Sequence, residues 1–214
     1  MNKFTALTVV AALTTAPCGQ AATPADRSPK SEAKQAGVPG GPILVRPHSP
    51  VLGPRKARVT IVEFFDPSCE ACRAVYPFVK QIMAAHPNDV RLVLRYAPFH
   101  PGSQEAIKIL EAGRKQGIFV PVLEAVLAAQ PEWHDDARAE KAWAAARAAG
   151  LNEQKARQSA GAPEFTRSLN LDVADIKSSG VKGTPTFFVN GKLVSDLSVE
   201  NLAASVTSEV AAAK

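Results

Sequence analysis

The run Arg58-Val59-Thr60-Ile61-Val62-Glu63-Phe64-Phe65 constrains this chain more than any other segment. It is β-branched and aromatic, and it is apolar at both odd and even positions. As a strand it would therefore offer hydrophobic side chains to both faces of a sheet. Such a strand belongs at the centre of a covered sheet. The chain has the material for that: 214 residues, 46% hydrophobic and 21% charged, a balance that excludes a disordered or collagen-like polymer. Three cysteines are too few for a disulfide-stapled miniprotein.

The segments around this strand set the fold class. Asp66-Pro67-Ser68 ends it and leads into a helix, where Val75, Phe78, Val79, Ile82 and Met83 recur at helical spacing. Pro77 inside that run predicts a kink. Val90 to Tyr96 reads as a second strand, parallel to the first through a right-handed βαβ crossover. A helical stretch follows to about Ser178. Its stripes are Phe119, Val122, Leu123, Val126 and Leu127; then Ala139, Ala142, Trp143 and Ala146; then Phe165, Leu169, Val173 and Ile176. Thr184 to Val189 and Lys192 to Val194, joined by Asn190-Gly191, carry the signature of a tight hairpin. A last amphipathic helix carries Val199, Leu202, Val206 and Val210. The order β-α-β, helices, hairpin, helix is that of an α/β domain with a helical insertion.

The N-terminus reads as an address. Met1 to Lys3 give a positive start, Phe4 to Ala16 an apolar stretch, and Gly19-Gln20-Ala21 a small-residue site, so residues 1–21 are expected to be a cleaved signal peptide. Thr15-Ala16-Pro17 before Cys18 favours cleavage over lipid anchoring at that cysteine. Residues 22–50 are rich in proline and charge and read as a disordered linker, with Ile43-Leu44-Val45 a candidate edge strand. The folded domain is expected over 51–214, with its insertion at about 103–178. Export places the remaining cysteines in an oxidising, periplasmic compartment. The net charge of +5 is spread along the chain in alternation with acids, so neither nucleic acid nor an anionic membrane is an expected partner.

Cys69-Glu70-Ala71-Cys72 sits where the central strand hands over to its helix. Three residues apart at a helix start, two sulfurs can close a disulfide. Unpaired N–H groups at the helix end favour a thiolate, so Cys69 is the expected nucleophile and Cys72, one turn deeper, the resolving thiol. Other uses of a cysteine pair carry less weight. Zinc would need a second pair or paired histidines, whereas His48, His86, His100 and His134 are scattered. Copper handling lacks a Met- or His-rich tract. A purely structural bridge closing so short a loop adds little stability.

Phe64-Phe65-Asp66-Pro67-Ser68-Cys69-Glu70-Ala71-Cys72, followed by Val181-Lys182-Gly183-Thr184-Pro185-Thr186-Phe187 and Val189-Asn190-Gly191, resembles the thioredoxin superfamily. The long helical stretch before Thr184-Pro185 resembles its DsbA-like branch. The resemblance covers roughly Val51 to Lys214. It implies a thioredoxin fold with a helical insertion and an exported thiol–disulfide oxidoreductase, favoured in the oxidase direction over reductase or isomerase. A metal-handling or partner-binding module on the same fold is the reading from another class. The resemblance further implies a cis Pro185 facing the cysteines, Thr184 pairing with an extended substrate, and Glu63 as a buried acid that exchanges a proton with Cys72. Read locally, Glu63 is also compatible with a strand end open to solvent. Implied partners are secreted protein thiols and a DsbB-like or DsbD-like membrane protein; no cofactor or metal is expected, and the protein is expected to be a monomer.

The strongest oxidants of that branch carry Pro-His between the cysteines. Glu70-Ala71 instead brings a carboxylate, worth on the order of 1 kcal/mol or less near a surface, which Arg73 is positioned to offset. Cys69 is thus expected to ionise below free cysteine without reaching extreme values. Thr184 before the proline resembles reductase and isomerase members. His100, in Phe99-His100-Pro101-Gly102, is a further candidate near the site, against an ordinary loop histidine. Trp133 and Trp143 are expected to be packing residues.

Overall fold

The computed structural model describes residues 41–213. The expected signal peptide, its Cys18 and most of the linker lie outside them. Two long strands form the centre: β2 (Val59–Phe65), with all seven residues buried, and β3 (Val90–Tyr96). They pair in parallel from Val59 opposite Val90 to Phe65 opposite Tyr96. β4 (Thr186–Val189) pairs antiparallel with β2 on its other side, placing Phe187 opposite Glu63. Short edge strands β1 (Val51–Leu52) and β5 (Lys192–Leu193) complete the sheet in the order β1-β3-β2-β4-β5. Asn190 and Gly191 turn the β4–β5 hairpin with φ of 45° and 86°, the left-handed conformation that Asn-Gly adopts at low cost.

Alternation along β2 divides the core. Val59, Ile61 and Phe65 join the larger apolar cluster, and Val62 and Phe64 the smaller one behind the sheet. Over the first face lie α2 (Glu70–Ala85), which runs unbroken through Pro77, and α8 (Val199–Ala212). Between β3 and β4 the chain passes through α3 (Ser103–Lys115), α4 (Phe119–Ala128), a 3₁₀ turn (Gln130–Glu132), α5 (Glu140–Ala148), α6 (Glu153–Ala160) and α7 (Pro163–Ser178). The apolar stripes of α3 to α5 extend the larger core; Trp133 and Trp143 are buried there, their indole N–H groups donating to the Val126 carbonyl and to Glu105.

The second face departs from the apolar pattern. On α7, Val173 is 46% exposed, whereas Asp172 and Asp175 are buried beside Leu169 and Ile176. The reason is Arg95 on β3, wholly buried and stacked 5.4 Å from the Phe64 ring centroid. Its guanidinium donates to Asp172 at 2.8 Å, to Asp175 at 2.6 Å and to the Ile43 and Leu44 carbonyls. Arg46 donates through two nitrogens to Asp175, and His48 lies 2.8 Å from Asp172. Buried ions persist only when paired and hydrogen-bonded, so the helix turns its carboxylates inward.

The same network corrects the reading of residues 43–50. Leu44 is buried in the smaller cluster, and Gly41–Leu44 is a helical turn, α1, where an edge strand was expected. Arg95 takes the carbonyls of Ile43 and Leu44, and sheet pairing passes to Val51–Leu52. The fold thus begins before Val51, because polar contacts offset the ordering entropy that the composition could not.

Candidate active site

The loop from Asp66 to Cys69 joins the end of the central strand to α2. Cys69 is the N-cap of α2, with extended backbone (φ −77°, ψ 121°), and both cysteines are free thiols. Cys69 is 7% exposed and Cys72 is wholly buried, which places the first sulfur at the rim and the second beneath it. The Thr184–Pro185 peptide bond is cis, and the Cys69 thiol donates to the Thr184 carbonyl oxygen at 3.3 Å. The two segments that the resemblance joined, more than a hundred residues apart in the chain, therefore meet at this sulfur.

Electrostatics separates the two thiols. A hydrogen bond from Cys72 is the largest influence on Cys69. The Thr184 side chain and the backbone N–H groups of Cys72 and Ala71 add to it, and together they outweigh burial to lower its pKa to about 5. That matches the direction and moderation expected from the sequence. Burial is the main reason that Cys72 moves the opposite way; its hydrogen bond to Cys69 adds to the rise, as does Glu63 whenever that carboxyl is ionised. One sulfur is ionised at neutral pH while the other keeps its proton.

Glu63 is not at a solvent-accessible strand end. It lies at the middle of β2, fully buried, and neither carboxyl oxygen has a hydrogen-bond partner. Burial, and secondarily the charge on Cys69, raise its pKa well above the ordinary carboxyl range. Burial of this kind favours the neutral, protonated acid.

The helical insertion reaches this loop through residues that the sequence pattern did not single out. Gln130, buried in the 3₁₀ turn, donates through Nε2 to the carbonyls of Pro67 (2.7 Å) and Cys69 (2.9 Å). Its Oε1 accepts from Arg73 Nε at 2.9 Å. Arg73 is thus engaged with Gln130, and the residue facing the Glu70 carboxylate is His134, at 3.8 Å. Asp66, also buried, accepts from the N–H groups of Ser68 and Phe99, from the Ser103 hydroxyl and from His100 Nδ1. Gly102 keeps that corner tight, since a β-carbon there would fall 2.8 Å from the Asp136 carbonyl oxygen. A glutamine beside Pro131 reads as loop, so no local signal marks Gln130. Asp66 sits in a strand–helix loop, where an acid is usually solvated.

Among the described residues no group of three or more His, Cys, Asp or Glu side chains is arranged to hold a metal ion. The arrangement is suited to thiol–disulfide exchange: a low-pKa sulfur at the rim, a protonated partner below it, and the cis Thr184–Pro185 bond alongside.

Comparison with known proteins agrees with this chemistry. A family model described as thioredoxin matches residues 46–207. The chain is 33% identical over 168 residues to a protein from Salinispora tropica named Na(+)/H(+) antiporter NhaA 3, covering 77% of this chain and 25% of that protein. It therefore spans a quarter of that relative's length, and no helix among the described residues is long and apolar enough to cross a membrane. A thioredoxin-like oxidoreductase from Silicibacter pomeroyi superposes with a TM-score of 0.68 at 32% identity, over 76% of this chain and 92% of the other. The thiol–disulfide exchange protein alpha-DsbA2 from Wolbachia pipientis shares the fold, with a TM-score of 0.66 at 23% identity over 78% of this chain and 89% of that one. The chain belongs to the thioredoxin family, with a helical insertion between β3 and β4.

Proposed function

We propose that the protein is an exported, periplasmic oxidase of protein thiols, working as a monomer through the Cys69–Cys72 disulfide. The observation that carries this reading is the divergence between the two thiols, with Cys69 at about 5 and Cys72 raised by burial. A low thiolate pKa stabilises the reduced pair relative to the disulfide and makes the disulfide the stronger oxidant. In the first step a substrate thiolate attacks Cys69 Sγ, the Cys69–Cys72 bond breaks, and Cys72 leaves with the electron pair. Glu63 supplies the proton that Cys72 takes up, and is reprotonated from solvent. In the second step the substrate's other thiolate attacks its own sulfur in the mixed disulfide and Cys69 departs as thiolate. Two electrons have passed from substrate to the pair.

Thr184 lends its backbone to an extended substrate segment, and Pro185 offers neither N–H nor charge beside the sulfurs. A quinone-linked membrane partner of the DsbB kind reoxidises the pair. The reductase or isomerase direction, with a DsbD-like partner, is favoured by one observation, Thr184 before the cis proline. Export rests on the signal-peptide pattern of residues 1–21, with cleavage releasing the domain on the remainder of its linker.

Cys72→Ser tests the reading. Removing the resolving sulfur leaves Cys69 able to capture substrates, so expression of this variant in the periplasm traps mixed disulfides that dissolve in dithiothreitol. A Cys72→Ser variant that accumulates none, or a reduction potential near that of cytosolic thioredoxin at about −270 mV, would sink the oxidase assignment.

A further inference from the structure

Asp66 organises two groups at once. Its backbone carbonyl accepts from the Cys69 N–H at 3.0 Å, which sets the start of α2. Its buried carboxylate lies 2.7 Å from His100 Nδ1, on the loop after β3. A carboxylate cannot donate, so Nδ1 carries the proton. The Ser103 hydroxyl accepts from the His100 backbone N–H at 3.1 Å, which fixes the base of the side chain. The ring is nonetheless 42% exposed, so it can take a second proton from solvent.

We propose that His100 is a positioning residue for the reactive sulfur: anchored on Asp66, its imidazolium holds positive charge beside the tip of α2 and favours the ionised form of Cys69. The proposal rests on the oxidoreductase reading of the site and adds a source of thiolate stabilisation from outside the Cys69–Cys72 segment. The groups facing His100 are Asp66 from the loop after β2, Cys69 from the start of α2 and Asp135 from the loop after the 3₁₀ turn; all three are anionic when ionised. The bond to Asp66 is the main cause that raises the His100 pKa. Partial burial opposes it, and the charges on Asp66, Cys69 and Asp135 add to the rise. Coupling is reciprocal: if an ionised Cys69 favours protonated His100, protonated His100 favours ionised Cys69 to the same extent.

The test compares the wild-type chain with His100→Asn, which keeps a donor for Asp66 but cannot carry charge. Thiolate absorbance near 240 nm is followed against pH as the difference between reduced and oxidised protein, so that Cys18 and the tyrosines cancel. The expected result is a Cys69 midpoint higher by about half to one unit. Iodoacetamide alkylation at pH 5 slows about two- to fivefold, the rates converge above pH 8, and the difference shrinks in 1 M salt. His100→Lys, which restores charge without the ring, brings the midpoint back toward wild type. A low wild-type midpoint that His100→Asn leaves unmoved, in a protein of unchanged circular dichroism, would overturn the role of His100 alone. A wild-type midpoint near that of free cysteine would overturn the functional reading beneath it.

Discussion

Cys69 Sγ lies 3.3 Å from the carbonyl oxygen of Thr184, the residue that enters the cis bond to Pro185. The same residue's side chain is one of the groups that lower the Cys69 pKa. Thr184→Val keeps the backbone and shape but removes that influence. A hydrogen bond to a charged group is worth about 1.5–3 kcal/mol, so the Cys69 midpoint is expected to rise by about one unit. Thiolate absorbance against pH measures it, and an unchanged midpoint would remove Thr184 from the stabilising set.

The depressed Cys69 pKa links redox state to pH. Its folded value, about 5, lies below the ordinary 9.0. The stability it contributes to the reduced fold is therefore complete above pH 9 and is lost as pH falls through 5. At pH 7 this amounts to roughly 2–3 kcal/mol. Reduced protein should melt above oxidised protein at neutral pH, and the gap should close toward pH 4. The reduction potential should fall by about 60 mV per pH unit below pH 5 and by about 30 mV per unit above it, where reduction takes up one proton instead of two.

Glu63 has the opposite sign. Its folded pKa is raised, so the unfolded chain releases a proton above pH 4.5 that the folded chain retains, and stability is lost as pH rises from there. Glu63→Leu should stabilise the protein by about 1–3 kcal/mol by removing an unpaired buried polar group. It should also slow opening of the Cys69–Cys72 disulfide by roughly ten- to hundredfold, because Cys72 loses its proton source. Urea denaturation and stopped-flow thiol oxidation measure the two effects. A destabilised variant with unchanged exchange kinetics would contradict both.

Arg95 is the corresponding test behind the sheet. Arg95→Met leaves Asp172 and Asp175 buried without the guanidinium that joins them. The expected loss is about 3–5 kcal/mol, with release of residues 41–48 detected as faster amide exchange there. Arg46→Ala should cost less, since that guanidinium is partly exposed. In both variants Cys69 alkylation should be unchanged, because the network lies on the face opposite α2.

Gln130→Leu severs the bond between insertion and active-site loop. It leaves the Pro67 carbonyl and the Arg73 side chain without their partner and the Cys69 carbonyl with only its bond from the Arg73 N–H, for an expected loss of about 1–3 kcal/mol. Proteolysis should then cut the Asp66–Cys69 loop sooner than in wild type. Equal protection in the two proteins would show that the helix cap alone holds the loop.

Periodicity and spacing were sufficient for the central strand, the parallel crossover, the Asn190-Gly191 hairpin and the cysteine pair at the start of α2. Each depends on neighbours within a few residues: a pleat, a helical turn, a left-handed turn, an N-terminus. Tertiary structure decided what depends on partners distant in the chain. Asp172 and Asp175 face inward because Arg95, almost eighty residues earlier, is already buried there. Gln130 joins the site because the insertion folds back over the loop at Asp66, and His100, on the loop after β3, is fixed there by the Asp66 carboxylate. Glu63 holds its proton because six other buried strand residues and the layers above and below exclude water. A polar side chain carries no local sign of the partner that will satisfy it; that pairing exists only once the chain has closed.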